Sequence, residues 1–221
     1  MRDWKNLSLR YGWFAAGVAI NAFGISFITK SALGTSPISS VPYVVSLYLP
    51  SVSFGMTTFV MNMLFILGEI ILLRKDFHPV QFLQIAANFL FSALIDVCMA
   101  VLEPFQPETL AVRLVSLLAG CMIMSVGVSV EVAPGVIAVP GEGIVRAIVQ
   151  NTKIRFGTVK MWFDISLMAT SAVLSLVFFG RLNGVGAGTV IAAFVVGKFV
   201  NIVNRRLPLL EKIKGLAATA D

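Results

Sequence analysis

Charged residues are scarce in this chain. Asp, Glu, Lys and Arg make up 13% of its 221 residues, whereas 57% are hydrophobic. Soluble domains carry about 25% charged residues, so this deficit excludes an ordinary soluble domain. The mean hydropathy of +0.90 indicates that lipid is the solvent for most of the chain.

Residues that bind metals or carry nucleophilic chemistry are also few. The chain has two cysteines and one histidine, and their spacing fits neither a metal site nor a disulfide. Cys98 and Cys121 fall in apolar runs and are interpreted as packing residues, and His78 as a solvated residue in a charged turn. The glycines of 184-GVGAG-188 follow no strand, so they do not predict a nucleotide loop. We therefore predict no cofactor, no metal and no enzyme activity.

Long apolar runs are what the sequence has instead. A hydrocarbon core of about 30 Å is crossed by roughly 17–25 helical residues, and six runs approach that length. They predict an all-α polytopic membrane protein with six transmembrane helices, in which 1–221 form a single membrane domain. The first run is longer and more polar than a signal sequence, so we expect it to be retained. The runs are 11–29, 54–73, 80–102, 114–130, 156–180 and 185–203.

Basic residues predict how the chain is oriented. The net charge of +6 does not predict a nucleic-acid partner, because the basic residues cluster near the termini and between the runs. Cytoplasmic loops carry the excess of Lys and Arg, so both termini are predicted to be cytoplasmic, with the lipid bilayer as partner. Only Lys30, Arg113 and Arg181 fall on the other side. The clusters are Arg2/Lys5/Arg10, Arg74/Lys75, Lys153/Arg155 and Arg205/Arg206/Lys212/Lys214.

The chain matches itself at an offset of 103 residues, and of 102 after one gap. An ordered series that keeps two prolines and a Phe-Gly pair is harder to dismiss than isolated glycine matches. It predicts a duplication, with repeat one at 9–102 and repeat two at 112–204. The matched positions are Ala16-Gly17 with Ala119-Gly120, Gly24 with Gly127, Pro37 with Pro140, and Phe54-Gly55 with Phe156-Gly157.

The charges decide how many times each repeat crosses the membrane. Three crossings per repeat put every major basic cluster on the cytoplasmic side and invert the second repeat relative to the first. The stretches 32-ALGTSPISSVPYVVS-46 and 133-APGVIAVPGEG-143 must then enter and leave on one face, since about 13 residues span only roughly 20 Å as a helix. We predict re-entrant half-helices that begin at Pro37 and Pro140. Ordinary loops with short surface helices are the alternative.

Paired half-helices predict a substrate site. Their free N–H groups and dipoles favour negative groups, and interruptions at equivalent positions of inverted repeats point to a transporter's site. Hydroxyl side chains share one face of the first half-helix. Glu142 and Arg146 form an i,i+4 pair on the second, which is also what simple helix stabilisation would use. The candidate substrate-binding residues are Ser36, Pro37, Ser39, Ser40, Tyr43, Pro140, Glu142 and Arg146.

Polar residues inside the predicted spans are candidates for coupling or gating. A charge at the bilayer centre costs roughly 3 kcal/mol, so such residues usually have partners. We expect an Asp164–Lys198 ion pair and a hydrogen bond between Asn62 and Asp96, with a structural clasp between helices as the alternative role. Glu69 and Lys160 are expected to snorkel to the cytoplasmic boundary. The coupling candidates are Asn62, Asp96, Asp164 and Lys198.

The run 31-SALGTSPISSVPYVVS-46, followed by 54-FGMTTFVMN-62 and by residues 84–96, resembles the YczE-like family of bacterial integral membrane proteins. The resemblance covers nearly the whole chain. It implies a small multi-span protein of the bacterial inner membrane. It implies no substrate, no activity and no site residues.

These observations favour a small secondary transporter that works by alternating access. Its substrate would be a small organic anion or zwitterion, bound between the two half-helix N-termini near the midplane. A channel of the same symmetry, the substrate-binding subunit of a multi-component importer, and a non-transporting scaffold or accessory protein are the alternatives. A bundle of only six spans leaves open a homodimer that closes the cavity.

Overall fold

The computed structural model describes residues 4–218, and Arg2 of the first basic cluster lies outside that range. The described chain is helical, and no strand occurs within it. Two short 3-10 turns, Arg74–Asp76 and Pro79–Phe82, join the third helix to the fourth. The helices are α1 (Trp4–Lys30), α2 (Pro37–Tyr48), α3 (Phe54–Leu73), α4 (Leu83–Val101), α5 (Leu110–Val132), α6 (Pro140–Thr152), α7 (Phe156–Phe179), α8 (Ala187–Arg206) and α9 (Pro208–Ala218).

Six of these segments are long and apolar enough to cross a membrane, as the hydropathy predicted. They contain α1, α3, α4, α5, α7 and α8. The chain is therefore an all-helical protein of the multi-pass membrane type. Helix α1 begins before its apolar run, because its first turns pack against the α5–α6 connection. There Arg10 donates to the carbonyls of Pro134 (2.9 Å) and Gly135 (3.3 Å).

Local signals in the sequence set where the helices begin. Pro37 and Pro140 occupy the first turns of α2 and α6, where the missing N–H of proline is not needed. Ser53 and Thr109 precede α3 and α5, and each side chain accepts a backbone N–H from the first turn. Such caps satisfy donors that a helix start leaves unpaired. Gly180 ends α7 at a φ of +66°, a conformation that favours glycine.

Helices α1 and α5 form the centre of the bundle, and glycines bring their backbones together. A Cβ atom added at any of four glycines would overlap the facing helix. Residue numbers fall along α5 as they rise along α1, so the two helices run antiparallel. The contacts are Gly17 with Glu131, Gly24 with Met124, Gly120 with Ile28, and Gly127 with Asn21.

The α1–α5 contact is self-complementary at the offset found in the sequence. Moving Gly17 forward by 103 residues gives Gly120, and moving its partner Glu131 back by the same number gives Ile28, the partner of Gly120. The same shift converts the Gly24–Met124 contact into the contact between Gly127 and Asn21. The shift of 103 residues therefore maps α1 onto α5 and α5 onto α1, and the mapped positions are again in contact.

The remaining helices surround this pair, and most of their contacts also exchange. Helix α4 packs on α1 as α8 packs on α5, and α2 packs on α7 as α6 packs on α3. Two pairs depart from this pattern. Helix α2 contacts α8, whereas α6 and α4 have little contact. Helices α3 and α4 pack along each other, whereas α7 and α8 barely touch.

The short helices α2 and α6 meet at their N-termini in the middle of the bundle. We call the end of the bundle where α1 begins the near end, and the opposite end the far end. Ile38 at the start of α2 lies against Gly141 at the start of α6. Helix α2 then runs to the far end, where Tyr48 stacks on Phe178 with ring centroids 4.1 Å apart. Helix α6 runs to the near end, where Asn151 donates to a carbonyl of α3 (3.0 Å).

Helix α9 is not predicted from the sequence, which indicates only a basic cytoplasmic terminus for these residues. Leu210 and Ile213 are fully buried. They pack with Val130, Ala133 and Val203 from the near ends of α5 and α8. Two apolar residues three positions apart are enough to dock this one helix, although the segment is too short and too charged to predict a span.

Replacing Gly127 by alanine tests the central contact, with Gly197 as the matched control. An added Cβ at Gly127 overlaps the backbone of α1, whereas at Gly197 in α8 it meets nothing within 4 Å. Overpacking costs about 1–3 kcal/mol, which exceeds the gain of at most about 1 kcal/mol in helix propensity. Thermal unfolding in detergent should therefore show Gly127→Ala destabilised and Gly197→Ala unchanged or stabilised. Equal stability of both variants would refute the close α1–α5 contact.

Candidate functional site

A pocket of about 320 Å³ opens at the near end, between α6, the α5–α6 connection and the start of α4. We call it the α4–α6 pocket. Its apolar walls come from Leu73 and from the 132–138 stretch. Its polar side chains are Gln81, Gln84, Arg146 and Gln150. This combination of apolar walls and a few polar groups is typical of small-molecule sites.

A buried carboxylate lies directly behind the pocket. Glu69 of α3 is 0% exposed, and Gln84 Nε2 donates to Glu69 Oε2 at 3.0 Å. A Cβ atom on Gly143 would overlap this carboxylate, so only glycine lets Glu69 lie against the first turn of α6. The prediction that Glu69 snorkels is wrong. Helix α3 continues for another turn beyond Glu69, and the side chain points toward α4 and α6 instead of the boundary.

Polar side chains hold α3 and α4 together along their length. At the middle, Asn62 Nδ2 donates to Asn88 Oδ1 (2.8 Å), and Asn88 donates to a carbonyl of α3 (3.0 Å). At the far end, Asp96 accepts from the Ser53 hydroxyl (2.6 Å) and from the Gly55 N–H (2.7 Å). The predicted bond between Asn62 and Asp96 is wrong, because Asp96 lies about 12 Å further along α4 than Asn88 and binds the start of α3.

A second buried carboxylate pairs with an amide at the α1–α5 contact. Asn21 Nδ2 donates to Glu131 Oε2 at 2.9 Å, and both residues are buried. Gly17 lets the backbone of Glu131 approach α1, whereas Gly143 makes room for the carboxylate of Glu69. Sequence reasoning missed Glu131. Its one signal was a carboxylate placed directly after the fourth apolar run.

The serines predicted as substrate ligands lie at the start of α2 and bond mainly within that helix, and Ser40 also donates to the Leu167 carbonyl of α7 (3.5 Å). Ser36 donates to Ser39 Oγ (3.0 Å), and Ser40 donates to the Pro37 carbonyl (2.6 Å). All three serines are buried, as is Pro37. They do not line the α4–α6 pocket, so their role as ligands stays a prediction.

Tyr43 lies further along α2, toward the far end. Its ring packs edge-on against Phe54, with centroids 5.1 Å apart. It lines a second, more open pocket of about 370 Å³ together with Thr29 and Arg113, and burial raises the pKa of its hydroxyl. The structure therefore does not bring Tyr43 together with Arg146 at one cavity.

The predicted pair on α6 is present but weak. Arg146 Nη2 lies 3.8 Å from Glu142 Oε2, and the Arg146 side chain is 56% exposed. Exposed i,i+4 pairs contribute about 0.3–0.5 kcal/mol, so Arg146 is free to turn into the pocket that it lines. Burial raises the pKa of the Glu142 carboxyl, while the charges of Arg146 and Lys160 oppose that shift. Pro140 is buried just before them, where α6 starts.

Asp164 pairs with Lys160 at 2.6 Å, one turn away on α7. The predicted Asp164–Lys198 pair is wrong, because α7 and α8 lie apart over most of their length. Lys198 is exposed and has no partner among residues 4–218. Nothing lies within 4 Å of a Cβ atom added at Gly157 or at Gly197. The near end is therefore open between these two helices.

The far end is closed by contacts that the near end does not repeat. The Thr35 N–H donates to Thr189 Oγ1 (3.2 Å), and the Gly188 N–H donates to the Leu33 carbonyl (2.9 Å). Both bonds tie the α1–α2 connection to the start of α8. The positions 103 residues after Leu33 and Thr35 are Val136 and Ala138, and both line the α4–α6 pocket.

Comparison with protein families matches residues 8–205 to DUF6198, a family of unknown function, and the chain belongs to that family. No curated protein matches the chain, and no solved structure does. The family match carries no activity and leaves the likeness to the YczE-like family as a resemblance. Any assignment of function to this chain therefore depends on the geometry of the site.

Replacing Asn88 by alanine tests the polar contact between α3 and α4. It leaves the buried Asn62 amide without its acceptor, and an unsatisfied buried group costs about 1–3 kcal/mol. Hydrogen bonds between membrane helices average about 0.6 kcal/mol, so a loss of about 1 kcal/mol is expected. The control is Asn201→Ala on the exposed face of α8, which should leave thermal stability in detergent unchanged. If the two variants unfold at the same temperature, the α3–α4 contact does not depend on Asn88.

Proposed function

We propose that the protein is a small secondary transporter that works by alternating access on a small organic anion or zwitterion. In this proposal α2 and α6 are re-entrant half-helices of two inverted repeats. The observation that carries it is the difference between the repeats. Contacts that close α3 on α4 at the far end have no counterpart between α7 and α8 at the near end within the described chain.

The antiparallel contact of α1 with α5 supports an inverted repeat. Its four glycine contacts map onto one another when the repeat offset is applied. The exchange of α4 with α8 and of α2 with α6 in their packing supports the same relation. A transporter built this way changes state when its two halves exchange conformations around a fixed central site.

Equivalent positions occupy different surroundings in the two halves. Asp96 binds the N–H of Gly55. The positions 102 residues later are Lys198 and Gly157, which lie apart and exposed. Exchange of these arrangements would bring α8 onto α7 and separate α3 from α4. The near end would then close and the far end would open.

Charge distribution supports a cytoplasmic near end. Arg74 and Lys75 follow α3 at this end, and Lys153 and Arg155 precede α7. Since cytoplasmic loops carry the excess of basic residues, the α4–α6 pocket would open to the cytoplasm. The resemblance to the YczE-like family implies that the membrane is the bacterial inner membrane.

The lining of the α4–α6 pocket supports the substrate class. Arg146 binds planar anionic groups well, and it lies in the second turn of α6, next to the first turn, whose free N–H groups carry a positive partial charge. The glutamines can donate and accept hydrogen bonds. A volume of about 320 Å³ lies at the low end of ligand sites, which measure roughly 300–1,000 Å³. The pocket therefore suits a small solute.

A ligand screen with detergent-purified protein tests this proposal. Small anions, zwitterions and amines are added singly at two pH values, and the thermal unfolding temperature is measured. A ligand at 100 times its dissociation constant should stabilise by about 2.7 kcal/mol. The Arg146→Gln variant should lose that stabilisation, because its side chain lines the pocket and is too exposed to be needed for folding.

The control variant for the screen is Lys75→Gln, which removes an exposed basic residue outside the pocket and should keep the response. A hit should then be tested as substrate in proteoliposomes, where saturable uptake distinguishes a carrier from a channel. A blank screen with folded protein would contradict the proposal and favour a scaffold or a partner-dependent subunit. An effect that Arg146→Gln and Lys75→Gln lose equally would place the ligand elsewhere.

A further inference from the structure

The pair formed by Glu69 and Gln84 leaves two oxygen atoms without a donor. Gln84 Nε2 donates to Glu69 Oε2 at 3.0 Å. Glu69 Oε1 and Gln84 Oε1 are both buried and have no hydrogen-bond partner among the residues that the structure describes. Buried polar atoms normally have hydrogen-bond partners. Here both unpartnered atoms are acceptors, so each lacks a donor.

We propose that Glu69 carries the proton that drives the transport cycle, held in an acid–amide pair with Gln84. A proton on Glu69 Oε1 can be donated to Gln84 Oε1. Together with the existing bond from Gln84 Nε2, it closes a ring of two hydrogen bonds. One proton thus satisfies both unpaired oxygens. An ionised Glu69 would instead bury a negative charge beside an acceptor, which is costly in a low-dielectric interior.

Arg146 is the one positive charge that acts on Glu69 in the described structure, and the two do not form an ion pair. Helix α3 packs against α2, α4 and α6. Helix α4 faces Glu69 with the neutral Gln84, and α2 has no charged residue. Helix α6 contributes Gly143 and, one turn on, Arg146, whose recorded partner is Glu142 at 3.8 Å. No cation lies within ion-pair distance of Glu69 in the described part of the chain.

A proton also suits the space better than a metal ion. Glu69 is packed so closely on Gly143 that even a Cβ atom would overlap it. A metal ion in an oxygen site needs about six ligands. No group of three acidic, histidine or cysteine side chains that could hold a metal occurs within residues 4–218. Glu69 and Gln84 alone provide too few ligands.

The position of the pair links the proton to the conformational change. Gln84 lines the α4–α6 pocket, and Glu69 is hidden behind it at the α3–α4 contact. This inference rests on the transport mechanism proposed above. In that mechanism α3 and α4 lie apart in the alternate state, as α7 and α8 lie apart in this structure. Separation would break the acid–amide ring. Protonation of Glu69 therefore stabilises the conformation described here, and a rise in pH favours the alternate one.

The second repeat has no such pair. The positions 102 residues after Glu69 and Gln84 are Ser171 and Gly186, which cannot form an acid–amide ring. The acid–amide pair therefore acts at the α3–α4 contact and has no equivalent at the α7–α8 positions. Glu131 and Asn21 make a similar pair, and Asn21 Oδ1 is also unpartnered among the described residues. That pair lies in the α1–α5 contact, which maps onto itself when the halves exchange, so it provides a matched control.

Infrared spectroscopy of the purified full chain tests the protonation itself. A protonated carboxyl group has a carbonyl band that the carboxylate lacks. The wild type at pH 7 should show a band component that is lost in Glu69→Gln and kept in Glu131→Gln. It should disappear as the pH is raised. Glu69→Gln should fold, since glutamine can form the same ring with Gln84.

A further variant guards against misinterpreting a poorly folded protein. Gln84→Ala keeps the acid but removes its hydrogen-bond partner, so the Glu69 band should shift and remain. If the wild-type and Glu69→Gln spectra are identical in the carboxylic acid region, Glu69 is ionised and the inference is overturned.

Thiol labelling tests whether the proton controls the pocket. In a Cys98→Ala/Cys121→Ala background, Gln150→Cys places a thiol in the α4–α6 pocket. Its rate of reaction with a water-soluble maleimide is divided at each pH by the rate of the exposed Lys75→Cys variant, which corrects for thiol ionisation. The ratio should fall several-fold as pH rises through the titration of the Glu69 band. With Glu69→Gln added it should stay high at every pH.

The outcomes separate the two proposals. A ratio that follows pH in the wild type and not in Glu69→Gln supports proton coupling. A Glu69 band that titrates while the ratio stays constant overturns the coupling and leaves the ligand site at Arg146 to its own screen. A pH-dependent ratio together with a blank ligand screen would support the proton switch and contradict transport of the screened substrate classes.

Discussion

The backbone contact between α1 and α5 is the constraint on which the rest of the structure depends. In lipid there is no hydrophobic driving force for apolar helices to associate, so helix pairs in membranes depend on small residues that allow close packing. Gly17, Gly24, Gly120 and Gly127 provide that closeness. With α1 and α5 fixed antiparallel, α4 and α8 cover their outer faces, and α2 and α6 are held with their N-termini together in the middle.

The two halves share this centre but differ in what closes them, and the difference lies in side chains. Asp96 of α4 lies against the start of α3, where its carboxylate accepts a hydrogen bond from the Gly55 N–H. The positive end of the α3 dipole stabilises this negative charge. At the equivalent position Lys198 would bring a positive charge to the start of α7, where the same dipole repels it. Closure of α8 on α7 is therefore less favourable than closure of α4 on α3. Under the proposed transport mechanism, this difference between the matched positions would bias which end is open.

Hydropathy and proline positions predicted the long helices and the starts of α2 and α6, because these depend on local composition. The partners of polar residues were not predictable in the same way. Asn62 pairs with Asn88 and Asp164 with Lys160, since depth and rotation of each helix are set by neighbours. Glu69 is the clearest case. Its burial depends on Gly143, a residue of another helix more than seventy positions away, and no periodicity within α3 reveals it.

Under the proposed transport mechanism α3 and α4 separate, and a strong ion pair between them would oppose that separation. Breaking such a pair would leave two charges without partners in a medium where each is costly. A carboxylic acid paired with an amide avoids this, because the pair is neutral while it is closed. Loss of one proton turns it into a charge facing an acceptor, which favours separation. Glu69 and Gln84 lie across the α3–α4 contact, which has no counterpart between α7 and α8. Glu131 and Asn21 lie across the α1–α5 contact, whose positions exchange. Under the proposed mechanism, this difference in position is what would let the Glu69–Gln84 pair, and not the Glu131–Asn21 pair, respond to the movement.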